Sequence, residues 1–212
     1  MKYKWLNKGV NKGVNNGVNN GKLILFFNGW GMDENVVKHL DYEDYDILMF
    51  DDYTTLETNF DWNLLDLYSE RNLIAWSMGV MIATLFPQIG AKNKTAINGT
   101  LRPIDKNYGI NPKVYDLTVY SFSDLARMKF IQGMFDLDVK LAVSRDLENQ
   151  REELIALKNY TANEDFKYTR IIISSKDTII PTKHQVAYWG IEPNVEAGHC
   201  PFMNFAKWSD LL

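Results

Sequence analysis

Five short runs of this chain are apolar almost throughout: KLILFFN (22–28), YDILMFD (45–51), NLIAW (72–76), KTAIN (94–98) and TRIIISS (169–175). A strand with one wet face alternates apolar and polar residues. Continuous apolarity instead calls for a parallel sheet covered on both faces. The covering helices are expected between the runs: DENVVKHL (33–40), the stretch from Met78 to Phe86 that Pro87 ends, and HQVAYWG (184–190). That alternation predicts a doubly wound α/β fold. From about residue 104 to 166 it lapses into two helical patterns, VYSFSDLARMKFIQGMFDLDV (119–139) and SRDLENQREELIALKNY (144–160). They are read as a helical lid inserted between two strands, with ordinary crossover helices as the alternative.

The length of 212 residues suits one domain over 1–212. Residues 7–21, NKGVNKGVNNGVNNG, form a low-complexity loop of four-residue units, turn-prone and poor in core material. It is expected to be an inert expansion between KYKWL and KLILFF, two runs that would pair as a hairpin. A net charge of −4 argues against a general nucleic-acid binder. Cys200 is the single cysteine, which suits a reducing compartment. MKYKWLNKG lacks a signal-peptide apolar region, and no apolar run reaches the roughly 18 residues of a membrane span. The expectation is a cytoplasmic protein that does not enter a membrane.

One polar residue interrupts the apolar stretch NLIAWSMGVMIA (72–83). Ser77 falls where a buried strand runs directly into a helix, with small residues, Ala75 and Gly79, two positions to either side. This is the strand–turn–helix nucleophile elbow G-x-S-x-G, with alanine in the first glycine position. The alternative is a serine that merely caps the helix. A nucleophilic serine demands a downstream histidine, usually preceded by an acid. Of the three histidines, His39 precedes the elbow and His184 sits at the start of a surface helix. His199, in NVEAGHCPF near the C-terminus, lies on a loop at a strand end and is the expected base. Asp177, just past RIIISS, is the expected acid, with Asp105 in INGTLRPID as its rival. Trp30, in the loop FFNGWGMDEN, and Met78 are the expected backbone donors to an oxyanion. Cys200 cannot easily face its own neighbour His199 and is read as a packing residue.

FNGWGMDENVV, AWSMGVMIA, INGTLRPIDKNYGI and GHCPF together resemble the BioG family, the pimeloyl-[acyl-carrier protein] methyl ester esterases of bacterial biotin synthesis. The resemblance implies an α/β-hydrolase fold and a cytoplasmic carboxylesterase that releases methanol from the carrier-bound methyl ester. It also implies that no metal or organic cofactor is required, that Ser77, His199 and Asp177 are nucleophile, base and acid, and that Trp30 and Met78 donate to the oxyanion. An apolar slot for the acyl chain is expected from Trp30, Trp76, Met78, Phe122, Phe130 and Phe135. An acidic carrier would meet basic residues at the mouth, for which Arg127, Lys129, Lys140, Arg145 and Arg151 are the candidates. These alternate with Asp136, Asp138, Asp146 and Glu148, so the partner rests on the resemblance and not on charge. The alternatives are a generalist short-chain esterase or thioesterase, and a catalytically silent binding protein of the same fold.

Overall fold

A computed structural model describes residues 1–9, 14–15, 18–19, 21–135 and 141–212. Its strands are β1 (Lys2–Asn7), β2 (Val14–Asn15), β3 (Val18–Asn19), β4 (Gly21–Phe27), β5 (Tyr45–Asp51), β6 (Tyr68–Trp76), β7 (Asn93–Ile97) and β8 (Arg170–Ile172). Its α-helices are α1 (Met78–Ala83), α2 (Pro112–Ser121), α3 (Asp124–Gly133), α4 (Leu147–Leu157) and α5 (Thr182–Trp189). Among the described residues, six strands form one sheet in the order β1-β5-β4-β6-β7-β8, parallel throughout except for β1.

The five apolar runs become β4 to β8, and both faces of the sheet are buried. Leu23, Leu25 and Phe27 join one cluster with Leu48, Phe50 and Leu73. Ile24 and Phe26 join the opposite cluster with Ile47, Met49 and Ile74. Two-residue periodicity thus supplies two cores from the same strands.

The expected hairpin of β1 with β4 does not form. β1 pairs antiparallel with β5, and β4 lies between β5 and β6. Burial explains the choice. β4 is buried at six of its seven positions and belongs at the sheet centre, whereas β1 carries exposed Lys2 and Lys4 and suits an edge. Within the repeat, β2 and β3 pair with Val14 opposite Asn19. The remainder of the 7–21 loop expectation lies outside the described residues. DENVVKHL gives only a 3-10 turn, Glu34–Val36; one Asp33 oxygen accepts from Asn35 N and the other is drawn away to Ser144.

Among the described residues, α2, α3 and α4 follow β7, and no strand of the main sheet intervenes before β8. The long pattern 119–139 is cut at Ser123, whose hydroxyl caps α3 at Ala126 N. The Tyr115 hydroxyl donates to the Leu154 carbonyl at 2.8 Å and fastens α2 to α4. No helix among the described residues is long and apolar enough to cross a membrane.

Candidate active site

β6 ends at Trp76 and α1 starts at Met78, so Ser77 makes the turn alone. Its backbone sits at φ +57°, ψ −123°, a region that side-chain-bearing residues rarely occupy and that costs on the order of 1–3 kcal/mol. The turn is tight enough to require Gly79, since a Cβ there would lie 2.4 Å from the Phe27 carbonyl oxygen. Ser77 N donates to the Ile97 carbonyl at 2.9 Å, anchoring the elbow to the end of β7. The Ser77 hydroxyl makes no cap bond to α1. It lies 2.8 Å from His199 Nε2 instead.

The histidine and the acid complete a chain. His199 Nδ1 is 2.7 Å from Asp177 Oδ2. A carboxylate only accepts, so the neutral ring carries its proton on Nδ1 and leaves Nε2 to accept from the serine hydroxyl. Asp177 Oδ1 accepts from Ile179 N and Ile180 N at 2.9 and 3.1 Å. Asp177 Oδ2 also accepts from Gln185 Nε2 at 2.8 Å. Asp105 is elsewhere: its carboxylate accepts from Asn107 N and Tyr108 N within its own turn. His39 is 3.0 Å from the Phe202 carbonyl and His184 is 2.7 Å from the Gly109 carbonyl, so both serve packing.

Three supports around this chain carry no sequence signature. Gln185, fully buried on α5, braces Asp177. Asn98 Nδ2 and Trp76 Nε1 both donate to the His199 carbonyl, at 2.8 and 2.9 Å. A polar residue in HQVAYWG or ING looks like surface or turn material. Only the fold makes it a buried brace.

A cavity, partly open to solvent, lies against Ser77 and His199. Trp30, Trp76 and Met78 line it, with Val114 and Thr118 from α2, Phe130 from α3 and Leu154 from α4. Phe122 stands behind the wall, 5.2 Å from the Trp30 ring. Phe135 packs in the opposite core cluster and does not line the cavity. Among the described residues, neither the Trp30 N–H nor the Met78 N–H has an acceptor. Both residues border the cavity beside Ser77. Cys200 is buried, and burial pushes its thiol up to about 12, consistent with a packing role.

The basic residues separate into distinct environments. Lys129 is exposed on α3. Arg127 pairs with Asp124, and Arg151 pairs with Glu148 and donates to the Val119 carbonyl. Arg145 corrects the expectation of a docking residue. Its side chain is only 9% exposed, and it pairs with Glu153 at 2.7 Å and Asp52 at 3.4 Å. Burial raises Asp52, but hydrogen bonds from Lys2 and Thr54 and the Arg145 charge outweigh this and hold it well below the usual carboxylate range. Lys140 lies outside the described residues.

The profile of the family described as pimeloyl-ACP methyl esterase BioG matches residues 12–211. The crystal structure of selenomethionine BioG from Haemophilus influenzae superposes with a TM-score of 0.85 at 29% identity, covering 100% of this chain and 99% of that one. A malonyl-[acyl-carrier protein] O-methyltransferase of Bacteroides fragilis is 34% identical over 178 residues. That match covers 78% of this chain, but the chain spans only 36% of that protein's length. MGS-M2, an α/β hydrolase enzyme from a deep-sea metagenome library, shares the fold with a TM-score of 0.60 at 16% identity, covering 93% of this chain and 86% of that one. The sheet and its helices therefore form an α/β-hydrolase fold.

Proposed function

Because the chain belongs to the BioG family, we propose that it hydrolyses the methyl ester of pimeloyl-acyl carrier protein in the cytoplasm, through an acyl-enzyme on Ser77. The observation that carries this reading is the unbroken chain Ser77–His199–Asp177, set at a strained turn and opening on an apolar cavity. His199 Nε2 takes the hydroxyl proton as Ser77 Oγ attacks the ester carbonyl carbon, and Asp177 holds the imidazolium that forms. The N–H groups of Trp30 and Met78, without acceptors among the described residues, receive the tetrahedral oxyanion. The intermediate collapses, His199 returns its proton to the leaving oxygen, and methanol departs. Water, deprotonated by the same histidine, then cleaves the acyl-enzyme to the carboxylate.

The cavity suits a flexible acyl chain. Aromatic and aliphatic side chains dominate its wall, as in sites that take apolar ligands. Each buried methylene contributes about 0.8 kcal/mol, which ranks chain lengths without forbidding neighbours. α2, α3 and α4 all contribute to the cavity wall, so in this reading these helices are the lid and the carrier docks outside them.

The test is methanol release from methyl pimeloyl-carrier protein, compared with the same ester on a short soluble thiol. Ser77→Ala should abolish both, by several powers of ten in turnover. Undiminished turnover by Ser77→Ala would remove the acyl-enzyme mechanism. Equal kcat/KM for the two substrates would remove the carrier and leave a generalist esterase.

A further inference from the structure

The loop carrying Trp30 is held in an unusual way. Asn28 N donates to the Phe50 carbonyl, Gly29 N to Asn28 Oδ1, and Met32 N to the Gly29 carbonyl. Gly31 N donates to Glu153 Oε2 at 3.2 Å. In residues 28–32 only the Trp30 N–H is left without an acceptor among the described residues. Every other backbone N–H of the loop is engaged, and α4 holds three of the loop's polar groups. Besides the Glu153 contact, Gln150 Nε2 donates to the Gly31 carbonyl at 2.8 Å, and the Trp30 indole N–H donates to the Gln150 carbonyl at 2.7 Å.

Packing alone does not account for Glu153. The residue is completely buried, and burying a carboxylate with its arginine is costly where an apolar side chain would fill the same space. The carboxylate is instead used fully. Oε1 accepts from Tyr53 N at 2.9 Å, and Oε2 accepts from Gly31 N and Arg145 Nη1. Arg145 is fixed in turn by Asn149 and Asp52. Gly31 has φ +71°, so its peptide planes take an orientation that a side-chain-bearing residue would resist.

We infer that Glu153 and Gln150 are positioning residues which, by clamping both sides of Gly31 and the Trp30 indole, aim the free Trp30 N–H at the oxyanion formed on Ser77. The inference rests on the proposed acyl-enzyme reading and deepens it: the lid helix that covers the cavity also sets one of the oxyanion donors. Neither side chain touches the substrate. Their effect is confined to states in which negative charge has developed on the carbonyl oxygen.

The test uses the full chain, a soluble p-nitrophenyl ester, a trifluoromethyl ketone of matching chain length, and the corresponding unreactive methyl ether. Ser77 Oγ adds to the ketone carbon, the carbonyl electron pair moves to oxygen, and the hydroxyl proton passes to His199, so the adduct carries the oxyanion. Glu153→Gln should lower kcat about 10²-fold, the loss typical of one oxyanion donor. Its inhibition constant for the ketone should rise by a similar factor, while KM and ether affinity stay within about twofold of the native chain. Gln150→Met, close in shape and without a change of charge, should show the same pattern at about tenfold. It decides the matter if Glu153→Gln fails to fold. Native kcat in the folded variants overturns the clamp, as does a kcat loss with unchanged ketone affinity or with equally weakened ether binding. Ser77→Ala is measured alongside. If it retains turnover, the acyl-enzyme reading has failed, and that outcome is distinct from failure of the clamp.

Discussion

Replacing Asp177 with asparagine changes one oxygen to an amide nitrogen, and the surrounding bonds dictate where that nitrogen goes. Ile179 N and Ile180 N both point at Oδ1, so that site must remain an oxygen or two donors would face a third. The new NH₂ group is therefore forced into the Oδ2 position, 2.7 Å from His199 Nδ1. There it donates, and the imidazole must move its proton to Nε2. With that proton in place, Nε2 can no longer accept from the Ser77 hydroxyl 2.8 Å away. Gln185 Nε2, which also donates to the Ile180 carbonyl at 2.7 Å, loses its acceptor at the Oδ2 position. Turnover should fall by about 10⁴-fold, the loss expected from an inverted tautomer in a triad of this kind. Far-ultraviolet circular dichroism and the urea midpoint should change little, since the amide fills the same volume. The assay is p-nitrophenyl ester hydrolysis with protein that passes those controls. Turnover within tenfold of native would refute the tautomer argument, and crippling by Asp105→Asn alone would transfer the acid role.

Ser77→Gly and Ser77→Ala should both be inactive, but the glycine variant should be more stable by about 1 kcal/mol, because only glycine is at ease at φ +57°; urea denaturation of the pair measures this, and equal midpoints would mean that the turn stores no strain. Asp51 is pushed up to about 6, first by burial and then by repulsion from Asp52 and Glu34, against the pull of Arg145. Its folded form thus binds more protons than the unfolded chain between about pH 4 and 6, and native stability falls as pH rises through that window. Asp51→Asn removes the decline, so its stability advantage should grow by up to about 3 kcal/mol between about pH 3.5 and 7.5; a gap independent of pH would refute this. Activity on the carrier-bound ester should fall steeply between about 0.1 and 1 M salt, while soluble-ester activity barely changes. Lys129→Glu or Arg151→Glu should imitate high salt for the carrier substrate alone, and parallel salt curves for the two esters would remove the docking surface.

The parts legible in the sequence were those that local chemistry specifies. β5 spans the same residues as its apolar run because full burial on both faces leaves only one pattern open to a central strand. Ser77, Asp177 and His199 could be expected together because each needs the next, and the chain offers few histidines from which to choose. The pairing of β1 was not legible: KYKWL fits an edge beside any strand, and only competition among the strands for the buried centre decides its neighbour. Arg145 was expected at the docking mouth, and Gln150 and Glu153 gave no signal, since periodicity reports spacing and not which face meets the rest of the molecule. Their burial comes from α4 lying against the Gly29–Gly31 loop, a contact about 120 residues apart in the chain. Phe135 misled for the related reason that an aromatic side chain near a cavity can face either of two cores.

The burial of Cys200 makes the molecule its own gauge of loop motion. Its sulfur sits one residue beyond His199, sealed from solvent, with its backbone N–H held by the Met134 carbonyl at 2.9 Å. A thiol kept protonated and out of reach reacts with alkylating reagents only when the segment opens. The labelling rate of this single cysteine thus times the excursions that carry His199 away from Ser77, with no probe to be introduced. A ligand that fills the cavity and rests on Met134 should slow that clock, and a destabilised 199–202 segment should quicken it.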